Sequence, residues 1–331
     1  MVIDLGSSFI RIAIAGEESI CEEATAIAIY QGKTKKRQVL AIGTSAAELE
    51  GKTPSEIQVF YPIKDGVIAD YELACLLLKH LMVQVQGRLL YVGPSVLLCV
   101  SHDSSPTERK ELRALLLAAG ARHVKLVDRS LCCAIGVELP IHQPRGHMIV
   151  DIGGDVTEIS VMSLGGVAYH HRIKVGGNTL NRSLIRYMEK KKNLLIGFAM
   201  AEELKTQGGN ALVTDTDGPS LFARGKCNVT GYPKGVNVLS RDLAVAMGDG
   251  VKIIIDAICH SIEGIAAELA ADIVQTGLIL LGGGSNLNDM DTAVGIATQH
   301  PVVIPDEPEL ACILGAWKSP ILQVGKKSQS L

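Results

Sequence analysis

The chain has 331 residues, of which 47% are hydrophobic, 20% charged and 4% aromatic, and its formal net charge is −3. This length suits about two domains, and the high apolar content excludes intrinsic disorder. The near-neutral balance also argues against a dedicated nucleic-acid binder, which would carry a strong basic excess. The chain is rich in glycine, because it has 34 glycines among its 331 residues, whereas an average usage of about 7% would give roughly 23.

Eight cysteines occur without a C-x-x-C pair, most of them in apolar segments. They predict reduced core thiols of a cytoplasmic protein, and neither a disulfide framework nor a zinc site. No uninterrupted apolar run reaches the roughly 18–20 residues of a membrane-spanning helix. The longest candidate, residues 251–273, is broken by charged residues, and its apolar positions follow a helical stripe that predicts one packed helix.

An internal repeat begins at the first strand. Residues 3–14, IDLGSSFIRIAI, align without a gap on residues 150–161, VDIGGDVTEISV. Each copy predicts a strand ending in Asp, a glycine-containing turn and a second strand, which together form a hairpin. Two similar hairpins half a chain apart predict two related domains that face each other across a cleft.

Strands and helices alternate between and after these hairpins, which predicts an α/β chain. The helix after residue 104 has clear end signals, because Ser105, Pro106 and Glu108 form a capping box with proline at the first turn and Gly120 suits a left-handed turn. Later segments predict a strand, a Gly176-Gly177 turn and a helix. A strand at 277–281, a triple glycine, and a final strand and helix from 302 to about 322 complete the pattern.

The glycine-containing hairpin turns suggest phosphate binding, because small residues let backbone N–H groups approach phosphate oxygens closely. Asp4 and Asp151 at the strand ends could hold Mg²⁺ through water. The alternative is that D-G is simply a common hairpin turn, but two matching copies favour a nucleotide. The triple glycine Gly282–Gly284 and the Gly176-Gly177 pair would add glycine sites at strand ends, although helix packing also explains such glycines.

Several longer motifs occur in order over nearly the whole chain: IDLGSS, YPIKDGVIADYE, MIVDIGGDVTEISVMSLGGV, KVGGNTLN and DIVQTGLILLGGGSNL. In this combination the sequence resembles bacterial actin homologues of the MreB type, within the actin, sugar-kinase and heat-shock ATPase superfamily. The resemblance implies an α/β, actin-like ATPase fold of two related lobes around a nucleotide cleft. We expect a first lobe over 1–144, with a small subdomain at about 28–65 and a return of 316–331, and a second over 145–315, with a small subdomain at about 180–245.

The resemblance also implies a function. Proteins of this type bind ATP with Mg²⁺ and polymerise head to tail into filaments that govern cell shape and cell-wall synthesis. We therefore expect a cytoplasmic protein at the inner face of the cytoplasmic membrane, with itself and proteins of cell-wall synthesis and shape as partners and no nucleic acid. The family's apolar membrane loop corresponds to Leu89, Leu90, Tyr91 and Val92, although these residues could instead pack in the core.

The resemblance assigns site residues position by position. The first phosphate loop corresponds to Gly6, Ser7, Ser8 and Phe9, followed by Arg11 at the place of a phosphate-facing lysine, and the second to Gly153, Gly154 and Asp155. The nucleoside side corresponds to Gly176, Gly177, Glu202, Glu203, Lys205, Gly282, Gly283, Gly284, Ser285 and Asn286. Without the resemblance, Glu202 and Lys205 could be only a surface pair on a helix.

Two positions depart from the family pattern. Arg129 stands where the family places a glutamate that positions the attacking water, and arginine cannot accept a proton. This arginine could bind phosphate or simply lie on the surface. Asp155 stands where a third glycine is usual. Its carboxylate would repel phosphates unless Mg²⁺ or Arg129 compensates, or it would adopt a left-handed turn and point away.

These departures leave ATPase activity uncertain, and we expect a chain that binds nucleotide but hydrolyses it slowly or not at all. Two other functions remain open. One is a non-hydrolysing regulatory or organelle-positioning actin relative, and the other is a small-molecule kinase of the same superfamily.

Overall fold

The structure is a computed structural model that describes residues 1–14, 17, 19–31, 38–86, 93–213 and 218–319. The predicted membrane residues Leu89–Val92 and the predicted end of the last helix, after 319, lie outside these ranges.

The first half of the chain contains short strands and a few helices. Its strands are β1 Val2–Leu5, β2 Phe9–Ala13, β3 Ile20–Ala24, β4 Ile27–Tyr30, β5 Gln38–Ile42, β6 Ile57–Phe60, β7 Ile63–Lys64, β8 Val67–Ile68, β9 Ser95–Val100 and β10 His123–Asp128. Its helices are α1 Thr44–Ala47, α2 Tyr71–Gln86, α3 Pro106–Ala118 and α4 Arg129–Gly136.

The second half contains longer helices. Its strands are β11 His147–Ile152, β12 Thr157–Ser163, β13 Gly166–Ile173, β14 Leu194–Leu195, β15 Ser220–Cys227, β16 Pro233–Leu239, β17 Leu278–Leu281 and β18 Val302–Val303. Its helices are α5 Gly177–Lys192, α6 Phe198–Gly208, α7 Ser240–Gly264, α8 Ala267–Thr276, α9 Met290–Thr298 and α10 Ala311–Lys318.

The internal repeat is visible in the two five-stranded sheets. One has the strand order β10-β9-β1-β2-β3, and the other, read from its last strand, has the equivalent order β18-β17-β11-β12-β13. In each sheet the first strand of the hairpin lies parallel to a strand from later in the chain, β9 for β1 and β17 for β11. The next strand, β10 or β18, is again parallel. Because parallel strands end at the same edge, the loops that follow them meet there.

The first sheet is stabilised by burial of apolar side chains. Ile3, Ile10 and Leu98 from its strands pack with Leu77 of α2 and Leu115 of α3 in one buried cluster. Helix α3 begins as predicted, because Ser105 and Glu108 form the reciprocal capping box and Gly120 has φ +112° beyond its end. Helices α4 and α10 pack against each other and against the same sheet.

Smaller sheets form beside these two. Strands β5, β4 and β6 make one antiparallel sheet, β7 and β8 form a short hairpin, and β14, β15 and β16 make another antiparallel sheet. The chain divides into two compact units, the first comprising residues 1–145, 162–170 and 309–331 and the second residues 146–161 and 171–308. The predicted lobe and subdomain boundaries remain predictions.

The prediction of one helix over residues 251–273 is wrong. Helix α7 ends at Gly264, Ile265 and Ala266 adopt extended backbone with ψ near 162° and 146°, and α8 begins at Ala267. The apolar stripe continues through the break, so the periodicity did not reveal it. Glycine and a β-branched isoleucine are weak helix formers, which lowers the cost of leaving the helix at this point.

Candidate functional site

The turn between β1 and β2 is closed by backbone hydrogen bonds. The N–H of Gly6 donates to the carbonyl of Phe9 at 3.0 Å, and a Cβ on Gly6 would lie 2.7 Å from that oxygen. Thr25 secures the turn from β3, because its hydroxyl donates to the Gly6 carbonyl at 2.8 Å and its N–H to the Ser8 carbonyl at 2.9 Å. Glycine is therefore required at position 6 by the turn itself.

Asp4, one of the two predicted Mg²⁺ ligands, is bound by Arg129. It lies on β1 with 1% of its surface exposed, and Nη1 of Arg129 donates to its Oδ1. The arginine side chain is 20% exposed, so the expectation that it simply lies on the surface is wrong. A buried carboxylate requires such a partner, since an unpaired buried charge is strongly destabilising.

Arg129 is placed by the start of α4. It is the first residue of this helix, and the preceding Asp128 caps the helix by accepting the N–H of Leu131 at 3.2 Å. The second oxygen of Asp128 lies 2.6 Å from Nδ1 of His102. Since β10 ends beside β9 and β1 in a parallel arrangement, the arginine emerges at the same sheet edge as Asp4.

Arg11 pairs with a residue of the neighbouring strand. It lies directly opposite Glu22 in the register of β2 and β3, and its Nε donates to Oε2 of Glu22 at 2.7 Å. Its guanidinium also lies 5.8 Å from the centre of the Phe9 ring, within reach of a cation–π contact. The structure thus gives Arg11 two protein partners at the place predicted to face phosphate.

The second hairpin turn repeats the first. The N–H of Gly153 donates to the carbonyl of Val156 at 2.9 Å, which is the same bond at the same spacing as in the first turn. The carbonyls of Gly153 and Gly154 then accept the N–H groups of Gly177 and Asn178 at 3.0 and 2.7 Å. A Cβ on Gly176 would lie 2.5 Å from the Gly153 oxygen. The Gly176-Gly177 pair therefore lets the N-terminus of α5 pack directly on the turn.

Asp155 does not adopt the left-handed turn that was one of the two expectations, because its φ is not positive. Instead its carboxylate, 4% exposed, accepts from Nδ2 of Asn178 at 2.9 Å and lies 3.4 Å from Nη2 of Arg182. The negative charge is offset by the first turns of α5.

Glu202 and Lys205 on α6 are more than a surface pair. Nζ of Lys205 donates to Oε2 of Glu202 at 2.8 Å and to the carbonyl of Gly177 at 3.4 Å. The fully buried Asn181 donates to the same glutamate oxygen at 2.5 Å. This network connects α6 to α5 and fixes both side chains. Glu203 is half-buried, and its carbonyl accepts from Thr206 at 3.2 Å.

The glycine loop after β17 packs against the end of β11. Gly282 has φ +77°, and a Cβ there would overlap Asp151 and lie 2.5 Å from the Ile152 carbonyl. A Cβ on Gly284 would lie 2.9 Å from the same carbonyl, whereas one on Gly283 would meet no atom within 4 Å. Packing explains Gly282 and Gly284, while Gly283 is exposed and open to a ligand.

The rest of the loop forms a short 3-10 turn. Ser285 is fully buried and its hydroxyl donates to the Gly282 carbonyl at 2.7 Å, so this side chain stabilises the loop. Asn286, the last residue of the turn, is exposed. Asp151 lies at the end of β11, level with Leu281 of the parallel β17. The structure thus brings Asp151 and the glycine loop to one edge of the second sheet.

All eight cysteines are free thiols, and four of them lie in the core as predicted, whereas Cys21, Cys75, Cys227 and Cys259 are only half-buried. In the part of the chain that the structure describes, no group of three or more His, Cys, Asp or Glu residues is placed to hold a metal ion. None of the helices in the described ranges is both long and apolar enough to cross a membrane.

The sequence analysis missed three partners of the site. Asn178 and Arg182 bind Asp155, and Asn181 binds Glu202. A signal was present, because Asn178 and Arg182 lie four residues apart and share one face of the helix that follows Gly177. The carboxylates that they bind are more than twenty residues away, so sequence spacing could not pair them.

The comparisons with known proteins agree with these motifs. The family model described as MreB/Mbl protein matches residues 1–324. The chain belongs to the MreB/Mbl family. It is 34% identical over 313 residues to the cell shape-determining protein MreB of Escherichia coli K12, covering 94% of this chain and 90% of that protein. The resemblance stated from the sequence is confirmed.

Solved structures are also similar to this chain. The MreB5 protein of Spiroplasma citri bound to AMPPNP has a TM-score of 0.91 and 27% identity, covering 100% of this chain and 98% of that one. The same protein bound to ADP has a TM-score of 0.90 and 28% identity, with the same coverage. A MamK double helical filament, at 20% identity, has a TM-score of 0.77 and covers 96% of both chains, which supports the fold alone. The MreB/Mbl chain has the predicted α/β, actin-like fold.

Proposed function

We propose that this MreB/Mbl family member binds ATP and assembles head to tail into filaments that act in cell shape and cell-wall synthesis. One observation carries the nucleotide part of the proposal. Two turns separated by half the chain are closed by the same glycine N–H bond, from Gly6 and from Gly153, and each follows a strand that carries a buried aspartate. The AMPPNP and ADP complexes of the similar MreB5 protein support it, since AMPPNP is an ATP analogue.

Each group of residues has a proposed role. The backbone of Gly6–Phe9 and of Gly153–Asp155 binds phosphate oxygens, as small residues and backbone amides in turns can do. Gly283 and Asn286, which are exposed, contact the nucleoside together with Glu202 and Lys205. The rigid network that holds Lys205 between Glu202 and Gly177 orients the nucleoside contact before ligand binds.

The Mg²⁺ expected from the family fits the first turn poorly. Asp4, its predicted holder on this side, already accepts a hydrogen bond from the Arg129 guanidinium and is buried. We therefore assign no step of the function to a metal at Asp4. Arg129 also cannot take a proton from water, so we propose that ATP hydrolysis is slow.

Sedimentation tests the filament proposal. We expect the purified chain to pellet at high speed with ATP, and much less without nucleotide, because an open head-to-tail interface generates filaments. Negative-stain images of the pellet distinguish filaments from aggregates. Failure to form filaments with any nucleotide, together with phosphate transfer to a small acceptor, would instead identify a kinase.

Membrane association is the second part of the proposal, and it rests on the apolar segment Leu89–Val92 alone. Filaments should co-sediment with anionic phospholipid vesicles, because weak contacts of single molecules add up along a filament. The double substitution Leu90→Ser and Tyr91→Ser should abolish the co-sedimentation with vesicles. The matched control is Val229→Ser with Tyr232→Ser, which removes two apolar side chains that are 77% and 74% exposed elsewhere. Equal vesicle binding by both variants would contradict a role of the segment.

A specific observation favours one alternative. Because Arg129 replaces the water-positioning glutamate and neutralises Asp4, this chain also suits a non-hydrolysing relative that regulates an active filament or positions another structure. Such a chain would pellet poorly by itself and co-pellet with an active family member. Independent assembly would exclude that alternative.

A further inference from the structure

The exchange that the resemblance implies at position 129, from glutamate to arginine, changes the local charge by the amount that a divalent cation carries. Arginine has a formal charge of +1 and glutamate of −1, so the difference equals the charge of one Mg²⁺. The guanidinium that supplies this charge is not remote from the site, since its Nη1 donates to the Asp4 carboxylate. Asp4 and Arg129 together are neutral without any metal ion.

The geometry at Asp4 disfavours a metal beside it. Mg²⁺ keeps a nearly octahedral shell of water and oxygen ligands, and the Asp4 carboxylate would have to accept that shell while it accepts the arginine. The side chain of Asp4 is almost wholly buried and the arginine is mostly buried. A divalent cation next to a guanidinium in such surroundings is repelled, because buried charges are poorly screened.

In the second turn the counterpart of Asp4 is Asp151, and the neighbouring carboxylate of Asp155 also lies beside an arginine. Asp155 would add a negative charge beside the phosphate-binding backbone, but Asn178 and Arg182 bind its carboxylate. In both units, therefore, a carboxylate next to a candidate phosphate turn has an arginine as its counter-charge. Neither carboxylate depends on a metal ion for neutralisation.

We propose that Arg129 takes the place of the divalent cation as the phosphate counter-charge, so that this chain binds ATP and ADP without Mg²⁺. The inference rests on the proposed nucleotide binding. Guanidinium groups suit this role, because they are always charged and present donors in a planar fork that matches phosphate oxygens. The capped start of α4 holds the arginine in position before nucleotide arrives.

Equilibrium binding of fluorescent ATP and ADP, followed by anisotropy, tests the inference. It is measured with excess EDTA and with excess Mg²⁺ at matched ionic strength. We expect dissociation constants that agree within about threefold in the two buffers. Affinity that falls more than about tenfold in EDTA overturns the inference but leaves the proposed function intact. No binding in either buffer refutes nucleotide binding itself.

Three variants show whether Arg129 is the cause. Arg129→Gln should lose at least about tenfold in affinity in EDTA and regain part of it with Mg²⁺. Arg129→Lys keeps the charge and should keep most of the metal-independent affinity. Arg113→Gln removes an exposed arginine from α3 and should bind as the unmodified chain does.

Equal affinity of Arg129→Gln and the unmodified chain in EDTA would contradict the role of the arginine. Circular dichroism and thermal melting show whether each variant is folded. If Arg129→Gln does not fold, the inference is tested by two other measurements. These are the affinity of the charge-retaining Arg129→Lys in EDTA and the comparison of the unmodified chain in EDTA and in Mg²⁺. A loss of affinity in EDTA would then overturn the inference without reference to the glutamine variant.

Discussion

Substitution of Gly282 and of the adjacent Gly283 tests separately whether a glycine is needed for the packing of the loop or for contact with a ligand. Gly282→Ala forces a non-glycine residue to φ +77° and puts a Cβ 2.5 Å from the carbonyl oxygen of Ile152, which cannot move freely because it belongs to β11. With ψ 162° this backbone region is populated almost only by glycine, so an alanine there costs about 1–3 kcal/mol, and overpacking costs about 1–3 kcal/mol. We expect a loss of roughly 2–6 kcal/mol, which corresponds to a melting temperature lower by about 5–15 °C.

Gly283→Ala is the matched control, and we expect it to leave stability nearly unchanged but to weaken nucleotide binding. Its new Cβ meets no atom within 4 Å, so the melting temperature should change by no more than about 2 °C. Nucleotide affinity should nevertheless fall, by about tenfold, if the nucleoside approaches this backbone closely. Thermal melting and anisotropy binding on the two variants measure both effects. Equal stability of the two variants would refute the packing argument. Unchanged nucleotide affinity of Gly283→Ala would contradict the proposed contact between Gly283 and the nucleoside.

Three further predictions concern other regions. Gly315→Ala should clearly lower the melting temperature, because the new Cβ would overlap a backbone carbonyl of the neighbouring helix α4. Gly248→Ala is the control and should leave the melting temperature unchanged, because its new Cβ would meet no atom within 4 Å. Equal effects of the two substitutions would contradict the close packing at Gly315. Hydrogen bonds from Thr230 and the turn backbone lower the pKa of Cys227 to about 7, so iodoacetamide should label Cys227 first at pH 7, and preferential labelling elsewhere would be the contrary result. Burial opposes ionisation of Asp242, but hydrogen bonds from its lysine and tyrosine partners lower its pKa. The stability that Asp242→Asn loses should therefore be present at neutral pH and disappear as the pH falls below about 4; a pH-independent deficit would exclude this cause.

The sequence predicted much of the fold because the signals were local or repeated. The two hairpins share a pattern of strand, glycine turn and strand, and the structure closes both turns with the same bond. The capping box at Ser105 and Glu108 spans only three residues and is confirmed. The break at Ile265 was missed because apolar periodicity reports which face is buried and does not report whether the backbone continues as a helix.

The site was predictable only in its backbone. Glycine positions indicated close approach of a ligand, which stays a prediction, and the atoms that approach Gly6 and Gly282 closely belong to the protein itself. The ion pairs were not predictable, because Asp4 and Arg129 are 125 residues apart and meet only when parallel strands align their ends. The same reason explains why the partners of Asp155, Asn178 and Arg182, were not predicted.

Phosphate release from ATP is the most direct measurement of the central claim, which is that Arg129 makes this MreB/Mbl chain a nucleotide binder with little hydrolysis. The assay compares the unmodified chain with Arg129→Glu, both with Mg²⁺, after melting curves have shown that each is folded. We predict binding with very slow phosphate release by the unmodified chain and faster release by Arg129→Glu, which regains a group able to orient water. Brisk release by the unmodified chain that Arg129→Glu abolishes would contradict the account.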